Sequence, residues 1–372
     1  MSWIEIEIQL VAVVVAVACA LPGVFLVLRR MALMSDAITH TVLLGIVLAF
    51  LAIGTLESPL LIVGAALTGV ATVALVETLG RTRLIREDAS IGLVFPALFS
   101  VAVILINQYA GSVHLDTDAV LLGEIAFAPF RRLEIGGVDL GPRTLYVMGA
   151  ILLCNVAFIA VLYKELKLST FDPALAAALG FSPVLLHYVF MSLVSLTAVG
   201  AFDAVGSILV VALMITPPAA AYLITDSLPR VLLYSVLIAA LSAIGGFWTA
   251  WIADASIAGC MAAVAGVLFL LAVLFAPARG VLASALRRRR QKVEFAGLML
   301  AIHLLQHEDT PEAETESREE HLGEHLRWLP AHARTVVRHA VDEDLLVRTG
   351  DGQLRLTSSG RTAALSALGR QG

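Results

Sequence analysis

Residues 8–28 read IQLVAVVVAVACALPGVFLVL, an apolar run that is followed at once by Arg29 and Arg30. A run of about 20 apolar residues is long enough to cross a bilayer as a helix. The run does not have the layout of a cleavable signal peptide, because Glu5 and Glu7 precede it where basic residues would be required. The stretch therefore predicts a membrane-spanning helix.

The rest of the chain repeats this pattern. Of its 372 residues, 59% are hydrophobic and 15% are charged, whereas soluble domains contain about 25% charged residues. This composition excludes a soluble globular or disordered protein. Nine spans are predicted, at 8–28, 37–54, 60–79, 91–109, 144–163, 184–202, 205–225, 231–252 and 255–276. The fold class is therefore an all-α, multi-pass membrane protein, in which a very short link around Asp203 joins the sixth and seventh spans.

Basic residues orient these spans. They follow the first, third, fifth, seventh and ninth spans, and the loops after even-numbered spans carry almost none. The exception is the loop 110–143, which is long and therefore weaker evidence. Since positive charge stays on the cytoplasmic side, we expect the N-terminus outside and the C-terminal tail in the cytoplasm of a prokaryotic cell.

The remaining charge is concentrated in the tail. Residues 292–372 contain 9 Lys and Arg and 13 Asp and Glu. We therefore predict a transmembrane domain over 1–285 and a cytoplasmic domain over 286–372. The cluster Arg287 to Arg290 between them is typical of a stop-transfer signal and of contact with anionic membrane lipid.

The tail has a mixed pattern. Helices are predicted at 292–307, 321–328, 331–343 and 358–368, an acidic loop at 308–320, and a hairpin at 345–356 whose turn is formed by residues 349–352. Helix, helix, hairpin, helix resembles a winged helix, as in metal-dependent repressors. The net negative charge of the tail argues against DNA binding, which rests on the neutralisation of phosphates.

Asp36 and His40 are the ionisable pair at membrane depth. They stand four residues apart, which places them on one helix face. Because ionisable groups are costly there, they are a functional hypothesis by default. A carboxylate and an imidazole suit a divalent transition metal, but a plain ion pair at the start of the second span is also consistent with the spacing. Asp203 is either a solvated turn residue or a further cation contact.

Histidines are clustered in the tail. His303 and His307, and also His321 and His325, are i, i+4 pairs. They are either solvated surface residues or a regulatory metal site. A third cluster, His114, Asp116 and Asp118, lies in the predicted outer loop, where charged residues often have no specific role.

Residues 172–180 predict a short helix between the fifth and sixth spans. Asp172 suits an N-cap, Pro173 the first helical position and Gly180 the end. It is either a plain connector or a docking helix for a cytoplasmic motor. The chain has no phosphate-binding G-x-x-x-x-G-K-[ST] sequence, so we expect no enzyme activity of its own, and any ATP hydrolysis belongs to another subunit.

The chain resembles the permease subunits of the manganese/zinc/iron ABC importers. The segments that carry the resemblance are 29–45, 86–95, 113–124, 171–180 and 205–222. The chain departs from the family pattern at Ser35, Leu44, Asp203 and Pro218, where Gly, Pro, Gln and Ala are expected.

The resemblance implies roles for these segments. Asp36 and His40 match the positions of the metal pathway. Phe171, Asp172, Pro173, Ala176 and Gly180 lie in the segment that would seat in the ATPase subunit. The implied partners are that ATPase, a second permease (identical or homologous) and an extracytoplasmic metal-binding protein.

The implied activity is alternating access for Mn²⁺, Zn²⁺ or Fe²⁺, with no tightly bound cofactor besides the transported ion. Two alternatives stay open. One is a permease for a vitamin or an iron chelate, and the other is a membrane-tethered, metal-responsive regulator.

Overall fold

The computed structural model describes residues 2–54, 60–82, 84–109, 125–135, 138–277, 279–311, 313–319, 321–322, 326 and 328–369. The chain forms two compact units, Met1–Gly280 and Val281–Gly372. The boundary thus lies five residues before the predicted one.

The first unit is built from helices. In chain order they are α1 (Trp3–Leu28), α2 (Ala32–Ile53), α3 (Leu60–Arg81), α4 (Glu87–Tyr109), α5 (Arg143–Val161), α6 (Tyr163–Phe171), α7 (Pro173–Ala178), α8 (Pro183–Ile224), α9 (Leu228–Ala253) and α10 (Ile257–Phe275). Among the described residues, eight of these are long and apolar enough to cross a membrane, all but α6 and α7. The prediction of an all-α, multi-pass membrane protein is confirmed.

The difference between nine predicted spans and eight helices lies in α8. This helix has 42 residues and contains both the sixth and the seventh predicted span. Phe190 packs edge-on against Phe25 of α1, and the carbonyl of Met214 lies against Gly23 of the same helix. In a straight helix, two residues 24 positions apart would be separated by about 36 Å.

The helix α8 therefore folds back on itself. The reversal falls at Gly206, whose φ of 74° and ψ of 168° are not helical. A positive φ is readily adopted by glycine because it has no Cβ. The two halves of α8 thus make two passes along α1 with no loop between them. Asp203 lies within the helix, and not in the short link that the sequence predicted.

Helix α1 lies at the centre of this unit and packs against α5, α8 and α9. Asn155 of α5 is buried and donates hydrogen bonds to the carbonyl of Ala18 (2.9 Å) and to Thr197 Oγ1 (3.1 Å). Burying an amide without partners costs about 2–7 kcal/mol, so this contact ties three helices together. Helices α2 and α3 approach closely where Gly45 faces Gly64, since a Cβ on Gly45 would meet the backbone of α3.

The long loop before α5 contains structure that the sequence analysis did not predict. A 3-10 helix covers Ile125–Phe130, and strands β1 (Arg132–Ile135) and β2 (Val138–Pro142) form an antiparallel hairpin. The Gly136-Gly137 dipeptide between the two strands is the sequence signal that predicts a hairpin.

The second unit contains α11 (Val281–His307), α12 (Ala313–Glu316), α13 (Pro330–Asp342), β3 (Leu346–Arg348), β4 (Leu354–Leu356) and α14 (Ser358–Gly369). Its core is formed by apolar side chains of α11, α13 and the hairpin, including Leu300, Val336 and Leu346. Strands β3 and β4 are antiparallel, and Leu346 pairs with Leu356.

Most predicted elements of the tail are present. The helix expected at 292–307 begins earlier, at Val281, and so includes the basic cluster. The expected acidic loop 308–320 contains the short helix α12 and a bridge between Arg318 and Gln353. The predicted helix 321–328 falls partly outside the described residues. The likeness to a winged helix stays a prediction.

Candidate functional site

The candidate site is the Asp36–His40 pair in the first half of α2. His40 Nε2 lies 3.4 Å from Asp36 Oδ1, so the two side chains share one helix face, as their spacing predicts. The side chain of Asp36 is 39% exposed and that of His40 is 28% exposed. This carboxylate–imidazole pair is therefore accessible from outside the unit.

Two aromatic residues of α4 hold the imidazole. The ring of His40 stacks on Phe95 with centroids 5.6 Å apart, and Phe99 meets it edge-on at 6.2 Å. Neither residue was predicted from the sequence. The available signal was their own i, i+4 spacing, which places the two rings on one face of α4. The stacking restricts the rotation of the imidazole next to Asp36.

The pair by itself offers two ligands. In the described part of the chain, no group of three or more His, Cys, Asp or Glu residues comes close enough to hold a metal ion. Zinc sites have four ligands, and other divalent transition metals have similar or higher coordination numbers. Among the described residues, an ion at Asp36 and His40 would therefore find only these two side-chain ligands.

Asp203 is not part of this pair. Its carboxylate binds Arg131 at 2.9 Å, and both side chains are largely exposed. The ion pair joins the reversal in α8 to the segment that leads into β1. It also neutralises the charge by which Asp203 departs from the family pattern.

A second ionic cluster lies near the Trp3 end of α1. Glu7 accepts hydrogen bonds from Trp3 Nε1 (2.9 Å) and from Arg132 (3.2 Å), and Arg132 also pairs with Asp139. The hydrogen bonds to Glu7 and then to Asp139 raise the pKa of Arg132. The backbone N–H of Gly141, followed by Arg132, lowers the pKa of Asp139. The cluster fastens the β1–β2 hairpin to α1, whereas His114, Asp116 and Asp118 lie outside the described residues.

The segment 171–180 has the caps that the sequence predicts. Asp172 accepts a hydrogen bond from the backbone N–H of Leu175 at 2.9 Å, Pro173 occupies the first position of α7, and Gly180 has a φ of +89°. Within α7, Ala176 is buried.

Large apolar side chains of this segment, and of the residue that follows it, are exposed. They are Phe171 (61%), Leu175 (46%), Leu179 (61%) and Phe181 (42%). A short, well-capped helix that exposes an apolar face has the character of a contact surface.

A polar cluster near the Arg29 end of α1 joins α3 to α8. Glu77 lies 2.5 Å from His187 Nε2, accepts a hydrogen bond from the hydroxyl of Tyr188 (2.8 Å) and lies 3.5 Å from Arg81. These residues and Arg29 line a cavity of about 330 Å³. The i, i+4 spacing predicts the pairing of Glu77 with Arg81, but nothing in the sequence relates Glu77 to His187, 110 positions away.

The tail histidines are only partly described. His303 Nε2 lies 3.1 Å from Glu316 Oε2, with both side chains nearly buried, and the rings of His303 and His307 are 4.7 Å apart. The spacing of the histidines gave no indication of Glu316. His321 is described, His325 is not, and the regulatory metal site stays a prediction.

These features define a class, a multi-pass membrane protein with an open carboxylate–imidazole pair inside a span and a capped apolar helix between spans. Residues 5–276 match the model of the ABC 3 transport family. The chain belongs to that family.

Similar proteins cover most of this chain. It is 50% identical over 362 residues to the zinc transport system membrane protein TroD of Treponema pallidum, which spans 97% of this chain and 98% of that protein. It is 48% identical over 285 residues to the manganese transport system membrane protein MntD of Bacillus subtilis, with 77% and 96% covered. Among solved structures it resembles PsaBC from Streptococcus pneumoniae in complex with Fab, with a TM-score of 0.63, 27% identity, and 75% of this chain and 94% of that chain covered.

Proposed function

We propose that this chain is the permease subunit of an ATP-driven importer for Mn²⁺, Zn²⁺ or Fe²⁺. The observation that carries the proposal is the Asp36–His40 pair, which combines a hard oxygen and a borderline nitrogen donor in a span. Such donors suit these ions better than Mg²⁺ or Cu⁺. The names of the zinc and manganese relatives support the same substrate class.

The exposure of the pair supports a second permease as partner. An ionisable side chain within a membrane span is costly unless it is paired or hydrated, so the face that carries Asp36 is unsuited to lipid. Leu33 and Leu48 on α2 are also exposed, and only 17% of the span in α4 is buried. A second permease against α2 and α4 would cover these residues and bring a second Asp36–His40 pair, or its counterpart, to the ion.

The apolar face of residues 171–181 supports a separate ATPase subunit as the motor. The chain has no nucleotide-binding sequence of its own. In this mechanism an extracytoplasmic protein delivers the ion, the ATPase moves α7, and the path past Asp36 and His40 opens alternately to each side. The cytoplasmic position of the tail follows from the basic loops.

The test is competitive uptake of Mn²⁺, Zn²⁺ and Fe²⁺ by cells that express the whole complex. We expect uptake that depends on ATP, with one of the three ions outcompeting the others. Transport of an iron chelate or a vitamin, with none of the free ions taken up, would support the first alternative. Metal-dependent binding of the full chain to DNA without uptake would support the tethered regulator.

The coupling role is tested separately with Asp172→Ala, which removes the N-cap of α7. Loss of such a cap costs about 1 kcal/mol, so α7 loses order while the membrane helices remain. We expect ATP hydrolysis to continue and the ions moved per ATP to fall several-fold. The exposed Asp254, at the end of α9, provides the matched control as Asp254→Ala. Equal ratios in both variants would contradict a docking role for α7.

A further inference from the structure

Arg29 occupies a junction between three parts of the membrane unit. It ends α1, and its backbone N–H donates to the carbonyl of Phe25 at 2.9 Å. After it the chain turns through Arg30, which has a φ of 61°, and enters α2 at Ala32. Asp36 follows within the first two turns of that helix.

The side chain of Arg29 reaches across to α6. Its Nε donates to Thr170 Oγ1 and its Nη2 donates to Ser169 Oγ, each at 3.1 Å. The two hydroxyls are adjacent in sequence and stand just before Asp172, which ends α6 and caps α7. The planar fork of the guanidinium therefore holds the last turn of α6 at two points.

The same guanidinium rests on α8. Its central carbon lies 4.9 Å from the centroid of the Phe190 ring, within the range of a cation–π contact. Phe190 is fully buried and packs edge-on against Phe25. Arg29 thus has one rigid side, formed by α1 and α8, and one side bound to the short helix α6, which α7 directly follows.

The hydrogen bonds between Arg29 and α6 can be exchanged for others. Burial lowers the pKa of Arg29 to about 10, which leaves the group charged at neutral pH. Among the described residues no carboxylate pairs with it, and its acceptors are two neutral hydroxyls. A cavity of about 330 Å³ lies beside Ser169 and Thr170, and Arg29 also lines it.

We propose that Arg29 is a positioning residue that transmits movement of α6 and α7 to the start of α2, where Asp36 and His40 lie. The inference rests on the proposed function, because it assumes that α7 receives the movement of an ATPase. It assigns to one side chain the connection between the docking surface and the ion path. Arg30, its neighbour in sequence, is exposed and serves as a matched control.

The experiment compares Arg29→Gln with Arg30→Gln in the complete importer, reconstituted in vesicles with its ATPase. Both changes remove one positive charge. In Arg29→Gln we expect the ions transported per ATP to fall by at least about tenfold, since each hydrogen bond from a charged group is worth about that factor. The KM for the ion should stay within about twofold of the wild-type value, because Asp36 and His40 are not substituted. Arg30→Gln should behave as wild type.

Two further variants separate transmission from folding. The double variant Ser169→Ala with Thr170→Val removes both acceptors but leaves Arg29 on Phe190, and it should show the same loss per ATP. Arg29→Lys keeps the charge without the fork and should recover part of the ratio. Unchanged transport per ATP in the double variant, or an equal loss in Arg30→Gln, would overturn the inference.

Failure of the role proposed for Arg29 can be distinguished from failure of the proposed function. If Asp172→Ala uncouples the complex and the Arg29 variants do not, only the role of Arg29 is wrong. If the wild-type complex transports none of the three ions, the proposed function itself is wrong.

Discussion

Two of the carboxylate–imidazole pairs among the described residues have similar distances and different surroundings. In the membrane unit, Asp36 and His40 are 3.4 Å apart and remain 39% and 28% exposed. In the tail unit, His303 and Glu316 are 3.1 Å apart and only 12% and 6% exposed. The first pair lies open on a helix face, and the second closes the edge of a small core. Donor chemistry alone therefore does not define a ligand site, because the accessibility of the side chains decides which pair can exchange a ligand.

Substitution of the open pair tests the comparison most severely. We expect Asp36→Ala and His40→Ala each to lower metal uptake by at least about a hundredfold, because each removes one of the two side-chain donors proposed for the ion. We expect the complex still to assemble, because the helix α2 keeps its other packing contacts. The measurement is uptake together with the melting temperature of the purified complex.

Retained uptake in both variants would break the assignment of the open pair. Asp203→Ala is a useful companion, because its carboxylate binds Arg131 instead. We expect it to change uptake far less than Asp36→Ala does.

The closed pair should respond in the opposite way. Glu316→Ala removes a buried acceptor, and loss of such a partner costs about 1–3 kcal/mol. We expect the tail to unfold more readily, which limited proteolysis of the full chain would detect, while uptake by the membrane unit is spared. A large loss of uptake without a change in tail stability would show that the His303–Glu316 pair serves transport and not the stability of the tail.

The smallest effect is expected at the aromatic wall of the open pair. Phe95→Leu removes the ring that stacks on His40, and such contacts are worth about 0.5–1.5 kcal/mol. We expect a few-fold rise in the KM for the ion and no change in the ATPase rate. Phe127→Leu, at an exposed ring in the 3-10 helix, controls for a general effect of losing an aromatic side chain. Equal KM values in the two variants would show that Phe95 does not contribute to ion binding.

The sequence predicts the parts of the fold that depend on neighbouring residues. Apolar runs predict the spans, and Asp172, Pro173 and Gly180 predict α7 because caps act within one turn. The face shared by Asp36 and His40 follows from helical spacing in the same way.

Contacts between distant segments were beyond this kind of reasoning. The pairing of Glu77 with His187, the stacking of Phe95 on His40, and the contact of Asp203 with Arg131 all depend on how the helices pack. The reversal in α8 was predicted as a link between spans. The structure keeps the chain helical on both sides of Gly206, because glycine alone supplies the change of direction.

That reversal has a consequence for the way the protein enters the membrane. The two passes of α8 are joined through Gly206 with no intervening loop. We therefore expect them to insert into the bilayer together, as a helical hairpin of 42 residues. The tip of that hairpin would carry Asp203 through the apolar layer, where an unpaired charge is costly, until Asp203 pairs with Arg131.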